Sequence, residues 1–225
     1  MARPEGPGPW PGVVVVHEAL GVDDVMLRQA ERLARAGYLA LMPDLFTQGG
    51  VRRCLVPTMR ASRSGHGRAY QDIEAARTFL TESPDCTGAV GIIGFCMGGA
   101  FALMSAGNGS FDAASANYGM LPAQLDQVLA GACPVVASYG GRDRMLKGAA
   151  AELDSALERL GVVHDVKEYP RAGHAFLNDA EVGPRPLRPL LRVTGMGPHP
   201  EAAADAWRRI ETFFGTHLKQ PTTSG

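Results

Sequence analysis

Three side chains of reactive types occur along the chain in the order cysteine, aspartate, histidine. Cys96 lies in GFCMGG between two apolar stretches, Asp143 follows the apolar run CPVVASYGG, and His174 follows VVHDVKEYPRAG. A cysteine sulfur attacks carbonyl groups efficiently when a histidine transfers its proton and an acid orients the histidine ring. We therefore expect Cys96, Asp143 and His174 to form a triad for nucleophilic acyl transfer.

The turn around Cys96 supports this expectation. Residues Gly94 to Gly98 read G-x-C-x-G between a predicted strand and a predicted helix, which is the setting of a nucleophile elbow. Glycines admit the strained backbone of such a turn, and the start of a helix favours a thiolate. Taken singly, Cys96 also fits a buried structural cysteine, and Asp143 and His174 also fit ordinary loop residues. Their order and context together favour the triad.

Glycine-rich turns of this kind also bind nucleotides. The glycines here fall at positions 91, 94, 98 and 99, so the G-x-G-x-x-G pattern is absent, as is the Lys-Ser/Thr pair of a phosphate-binding loop. Nucleotide binding is therefore a minor alternative, and we expect neither a cofactor nor a metal.

Apolar runs of strand length alternate with segments of helical period over most of the chain. A first strand is predicted at residues 12–17, a helix at 23–37, and five further strands follow. Buried parallel strands are apolar on both faces, and their alternation with helices indicates a sheet covered on both sides. The pattern predicts an α/β fold with a mostly parallel sheet of about six strands, ending in an amphipathic helix at 201–218.

Two segments interrupt this alternation. Residues 47–66 and 178–200 are rich in Gly, Pro and Arg and show no clear period. Loops of this length inside a compact domain are usually functional or disordered. We expect either lids over the site or surface loops without a role.

Composition restricts the remaining possibilities. The 225 residues, 45% of them hydrophobic, indicate one domain over 1–225 with flexible tails at 1–11 and 219–225. The 22 basic and 23 acidic side chains form no block of like charge, which argues against nucleic acid or an anionic membrane as partner. No apolar segment reaches the roughly 18 residues of a membrane span. The four cysteines form no CxxC pair, so we expect a cytoplasmic protein with reduced thiols, monomeric or homodimeric.

The segments HEALGV, GFCMGG, GGRD and AGHAF together resemble the dienelactone hydrolase family of α/β hydrolases. The resemblance extends from about residue 12 over nearly the whole chain. It implies an α/β-hydrolase fold, here without the antiparallel strands that usually open the sheet. It also implies Cys96 as nucleophile, His174 as base and Asp143 as the acid that orients the base.

The same resemblance implies that Glu18 lies close to the thiol and that the backbone N–H groups of Met97 and Ala19 form an oxyanion hole. Glu18 ends a buried strand at the sheet edge that carries Cys96, because the carboxyl ends of parallel strands face one way. A carboxylate is poorly tolerated there without a hydrogen-bond donor. Either Glu18 accepts hydrogen bonds from loop backbone or a loop arginine, or the resting thiol is hydrogen-bonded toward it until substrate binds.

The chain departs from the family enzymes that hydrolyse dienelactone. Those enzymes hold the substrate carboxylate with a serine after the catalytic histidine and an arginine after the PDL strand, whereas Ala175 follows His174 here. The candidate substrate-binding residues are Arg52, Arg53, Arg60 and Tyr118, and the second irregular segment adds Arg185, Arg188 and Arg192.

These observations predict a hydrolase of small esters or lactones that forms an acyl-enzyme and prefers short acyl chains. A non-catalytic protein of the same fold that binds a small ligand is the alternative. A third possibility is a redox-sensing thiol, in which Cys54 reaches Cys96. Loss of turnover in Cys96→Ala separates the first hypothesis from the other two.

Overall fold

The computed structural model describes residues 1–181 and 196–219. Six strands form one sheet in the order β2-β1-β3-β4-β5-β6. The strands are β1 Trp10–Val16, β2 Leu39–Leu41, β3 Cys86–Phe95, β4 Ala113–Asn117, β5 Val135–Gly140 and β6 His164–Tyr169. All neighbouring pairs are parallel, which confirms the predicted six-stranded α/β fold.

Strands β1 and β3 are neighbouring inner strands of the sheet and are covered on both faces. Residues 13–16 of β1 have no exposed surface, which explains why this strand is apolar without alternation. The strand begins at Trp10, two residues before its predicted start, and Ala2 pairs with Ala40 beside β2. Part of the segment predicted as a flexible tail, residues 1–11, is therefore paired with the sheet. Residues 220–225 of the other predicted tail lie outside the described residues.

The helices of the described residues pack on the two faces of the sheet. They are α1 Asp24–Arg35, α2 Gly50–Ser64, α3 Arg68–Thr81, α4 Met97–Ala106, α5 Leu125–Leu129, α6 Ala149–Arg159 and α7 Pro200–Leu218. On one face, α1 contacts α7, where Arg32 lies over the Trp207 ring at 4.7 Å. On the other face, neighbouring helices contact one another in the order α3, α2, α4, α5, α6, with α4 against β3 and β4.

Helix α2 corrects the prediction of an irregular loop at 47–66. Thr58 and Ser62 are its buried residues, and apolar side chains such as Leu55 and Met59 are only partly buried against the core. Pro57 lies inside the helix, and Gly49 and Gly65 flank it. In a sequence, proline and glycine at this spacing usually indicate a loop. Of the second irregular segment, residues 182–195, with all three of its arginines, lie outside the described residues.

Candidate active site

Cys96 lies on the sharp turn between β3 and α4. Its φ is +55°, a left-handed conformation that non-glycine residues rarely adopt and that marks a strained, functional position. A Cβ on Gly94 would lie 1.9 Å from the Gly98 carbonyl oxygen, and one on Gly98 would lie 2.1 Å from the Val16 oxygen. Both glycines are therefore required for the turn to bring α4 against the sheet.

The turn is also hydrogen-bonded to the neighbouring strand. The Cys96 N–H donates to the Asn117 carbonyl oxygen at 3.0 Å, and Asn117 Nδ2 donates to the Gly94 oxygen at 3.2 Å. Asn117 is completely buried at the end of β4. The backbone of the predicted nucleophile is thus fixed on both sides.

The structure brings His174 and Asp143 together. His174 Nδ1 lies 2.6 Å from Asp143 Oδ2, and Asp143 Oδ1 accepts a hydrogen bond from the Met145 N–H at 3.0 Å. Because the carboxylate only accepts, Nδ1 carries the proton, which leaves Nε2 for a proton transfer. Nε2 is buried and has no hydrogen-bond partner of ordinary geometry within 1–181 and 196–219.

Two opposing effects act on the His174 ring. Burial lowers its pKa, but the hydrogen bond with Asp143 and the nearby Cys96 sulfur raise it more strongly, to about 10. A neighbouring anion favours the imidazolium form in this way. The interaction with Cys96 places the thiol beside this ring, so the pair can exchange a proton.

Glu18 lies next to this triad with its charge buried, since only 7% of the residue is exposed. Asn178 Nδ2 donates to both carboxylate oxygens, at 3.1 and 3.3 Å, and the Tyr118 hydroxyl donates at 3.4 Å. Burial raises the Glu18 pKa from 4.5 to about 6, although these hydrogen bonds and His174 lower it in part. Among the described residues, the side chains that donate to the Glu18 carboxylate are therefore Asn178 and Tyr118. The sequence analysis had considered the thiol or a loop arginine for this role.

Tyr118, a candidate for substrate binding, is part of the Glu18 network. It is fully buried with a φ of +42°, and its ring centroid lies 5.2 Å from that of His174. Burial and the nearby Glu18 charge raise the Tyr118 pKa well above its ordinary value, so the hydroxyl stays protonated and donates. Asn178 was missed by sequence reasoning, although its position four residues after His174 in the same loop is a usable signal.

The two backbone groups implied as an oxyanion hole are available for that role. The N–H groups of Ala19 and Met97 donate to no acceptor in the described part of the chain. Met97 is the first residue of α4, where backbone N–H groups lack helical partners. His17, which showed no paired context in the sequence, is completely buried beside Ala19 and Glu18.

The candidate arginines lie on α2. Arg53 and Arg60 line a groove of about 590 Å³ between α2 and the start of α3, together with His66 and Arg68. The Cys96 thiol, the His174 ring and the carboxylates of Asp143 and Glu18 do not line this groove. Arg52 is exposed on the same helix. Binding of a substrate carboxylate by these arginines stays a prediction.

Within residues 1–181 and 196–219, no helix is both long and apolar enough to cross a bilayer. No group of three or more potential metal ligands comes together in the same residues.

Comparisons with known proteins give consistent matches. The model of the dienelactone hydrolase family matches residues 1–218. A provisionally named carboxymethylenebutenolidase of Methylorubrum extorquens is 32% identical over 95% of this chain and 74% of its own length. Carboxymethylenebutenolidase of Pseudomonas putida is 29% identical over 78% of both chains. The crystal structure of a provisionally named dienelactone hydrolase from Klebsiella pneumoniae superposes with a TM-score of 0.73 at 26% identity, covering 95% of this chain and 90% of the other.

Proposed function

Because the chain belongs to the dienelactone hydrolase family, we propose that this hydrolase cleaves small esters or lactones through Cys96, His174 and Asp143, with an acyl-enzyme intermediate. The bond of 2.6 Å between His174 and Asp143, with Nε2 left for the thiol, is the observation that carries the proposal. The strained elbow at Cys96 supports it, since such strain persists only where the surrounding structure enforces it.

The first half-reaction acylates the cysteine. The Cys96 sulfur forms a bond to the carbonyl carbon while the carbonyl electron pair moves to oxygen, and the Ala19 and Met97 N–H groups stabilise that oxyanion. His174, which holds the thiol proton, passes it to the leaving oxygen as the C–O bond breaks. The products are a thioester on Cys96 and a free hydroxyl group, which stays on the same molecule when the substrate is a lactone.

The second half-reaction releases the acid. A water molecule attacks the thioester carbonyl while His174 takes one of its protons. The C–S bond then breaks, the carboxylic acid leaves, and the thiolate–imidazolium pair is restored. Asp143 orients the ring in both steps and stabilises its charge without taking the proton itself.

Small esters and lactones suit this arrangement better than amides. The name of the Pseudomonas putida relative refers to a butenolide, which is a cyclic enol ester. An enolate leaves more readily than an amine, so a thiol nucleophile needs less assistance to expel it. This reasoning supports a cyclic or activated ester as substrate for the present chain.

The test is turnover of 4-nitrophenyl acetate and a panel of small lactones. We expect Cys96→Ala to lower kcat/KM by roughly 10³-fold or more, whereas Cys54→Ala retains the activity of the parent. Mass spectrometry of protein quenched during turnover should show the acyl group on the peptide that contains GFCMGG. Full activity in Cys96→Ala, or acyl labelling spread over the other cysteines, would contradict the proposal. No turnover of any compound would favour the ligand-binding alternative.

A further inference from the structure

The peptide bond between Glu18 and Ala19 is held from its carbonyl side. The Glu18 oxygen lies 2.7 Å from His17 Nδ1 and accepts a second hydrogen bond, at 3.0 Å, from the Gly21 N–H. The N–H on the other side of the same peptide belongs to Ala19. It donates to no acceptor in the part of the chain that the structure describes.

Peptide planarity connects these two sides. The C=O and N–H of a trans peptide lie in one plane and point in opposite directions. A group that fixes the direction of the Glu18 oxygen therefore also fixes the direction of the Ala19 hydrogen. The Gly21 bond lies within the same short turn, whereas His17 connects the peptide to a different part of the molecule.

The partners of His17 define its protonation. The Glu18 oxygen can only accept, so Nδ1 carries the proton, and the Leu45 N–H donates to Nε2 at 3.1 Å, so Nε2 is unprotonated. The ring is completely buried and packs edge-on against Phe46, with centroids 4.9 Å apart. Burial lowers the His17 pKa, which agrees with a neutral ring. Leu45 and Phe46 follow β2, so the neighbouring strand's loop holds the imidazole in place.

We propose that His17 is a positioning residue for the oxyanion hole: its Nδ1–H holds the Glu18 carbonyl and so directs the Ala19 N–H at the substrate oxygen. This inference rests on the proposed function, because it assigns Ala19 to the oxyanion hole. His17 itself touches neither the substrate nor the thiol in this role. It acts when negative charge develops on the oxygen, and ground-state binding depends on it much less.

Two substitutions separate the two hydrogen bonds of the ring. The side-chain nitrogen of asparagine lies as far along the side chain as Nδ1, and the amide group of glutamine lies as far as Nε2. His17→Asn can therefore keep a donor to the Glu18 oxygen, whereas His17→Gln can keep only an acceptor for the Leu45 N–H. We expect His17→Gln to lower kcat about 10²-fold, the cost of losing one oxyanion donor, with a smaller change in KM. His17→Asn should restore most of that loss.

Alkylation by iodoacetamide provides a reaction of the same thiol without an oxyanion. The Cys96 sulfur bonds to the CH₂ carbon and iodide leaves, so no charge develops on a carbonyl oxygen. We expect His17→Gln to be alkylated on the Cys96 peptide at the rate of the parent, although its ester turnover falls. A parallel fall of both rates, parent-like turnover in His17→Gln, or a greater loss in His17→Asn than in His17→Gln would overturn the inference.

The parent protein offers a test that needs no variant. Nitrogen NMR shifts of the His17 ring should show a neutral imidazole protonated on Nδ1, and a proton on Nε2 would overturn the inference. Cys96→Ala distinguishes this failure from failure of the proposed function. If that variant keeps full esterase activity, the cysteine mechanism is wrong. If it is inactive while the His17 measurements contradict expectation, only the positioning role is wrong.

Discussion

Glu18 carries a charge that is unfavourable to the fold. Its carboxylate is buried, and the neutral donors Asn178 and Tyr118 that face it do not neutralise the charge. The pKa is raised from 4.5 to about 6 mainly by burial. The folded protein therefore holds a proton on Glu18 over a pH window in which the unfolded chain has released it. Across that window, the free energy of unfolding decreases as the pH rises.

Glu18→Gln should therefore stabilise the protein at neutral pH and impair it as a catalyst. A pKa rise from 4.5 to about 6 corresponds to a free energy on the order of 2 kcal/mol. We expect urea unfolding near neutral pH to show this gain, and the gain to vanish as the pH falls below the unfolded pKa. If Glu18 takes the thiol proton when substrate binds, as the family resemblance implies, turnover should fall roughly 10²-fold.

The control is Glu158→Gln, which removes an exposed carboxylate from α6. It should change neither the stability at neutral pH nor the turnover appreciably, because surface substitutions usually change the free energy of unfolding by no more than about 0.5 kcal/mol. A Glu18→Gln protein with parent-like turnover would show that the carboxylate has no part in catalysis. Equal stability of parent and variant at neutral pH would show that burial does not raise the pKa as inferred.

Among the elements, the start of α4 and the end of β1 approach each other closely at the site. A Cβ on Gly98 would lie 2.1 Å from the Val16 oxygen and 2.9 Å from the His17 oxygen. Both obstacles are backbone atoms, which cannot move aside as a flexible side chain can. The separation between this helix and this strand therefore sets the distance between the two proposed oxyanion donors, Met97 and Ala19.

Gly98→Ala should accordingly reduce both stability and activity. We expect a loss of about 3 kcal/mol in urea unfolding, at the upper end of overpacking effects, and a fall in kcat because the Met97 N–H is displaced. Gly215→Ala is the matched control, since no atom lies within 4 Å of its added Cβ. Within helix α7 it should stabilise by up to about 1 kcal/mol. If Gly98→Ala unfolds at the same urea concentration as the parent, helix α4 and strand β1 can move apart without strain, which contradicts the prediction.

The elements differ in how well the sequence predicts them. The strands were predicted because buried parallel strands are uninterrupted apolar runs. Cys96, Asp143 and His174 were proposed as a triad because each of them follows one of these strands. Helix α2 was missed because Pro57 lies inside it and glycines flank it, and these residue types usually indicate a loop. The partners of Glu18 and the bonds of His17 were missed for another reason: they depend on side chains from distant loops, which no local period encodes.

Over the whole molecule, Arg209 joins the last helix to the half of the sheet that carries Asp143 and His174. Its side chain is 13% exposed and forms two bonds with the Asp165 carboxylate, at 2.7 and 2.9 Å. It also donates to Ser138 on β5 and to the Tyr169 hydroxyl on β6, both at 3.2 Å. One guanidinium thus links α7 to two strands.

Arg209→Lys should destabilise the protein although it keeps the charge. An ammonium group cannot reproduce the planar fork of bonds, and losing hydrogen bonds of a charged group costs about 2 kcal/mol. We expect this loss in the free energy of unfolding. Arg208→Lys is the adjacent control, because Arg208 is exposed and its pair with Asp205 lies on the surface. Equal stability of the two variants would contradict a linking role for Arg209.

The buried carboxylate of Glu18 has a consequence for selection in the laboratory. A library screened at neutral pH only for survival of heating should enrich substitutions at position 18, since each uncharged replacement that fits removes an unfavourable buried charge. The variants enriched by that screen should turn over substrate more slowly than the parent, as expected for Glu18→Gln. The same screen in acid should leave the position unselected, because Glu18 is already neutral there.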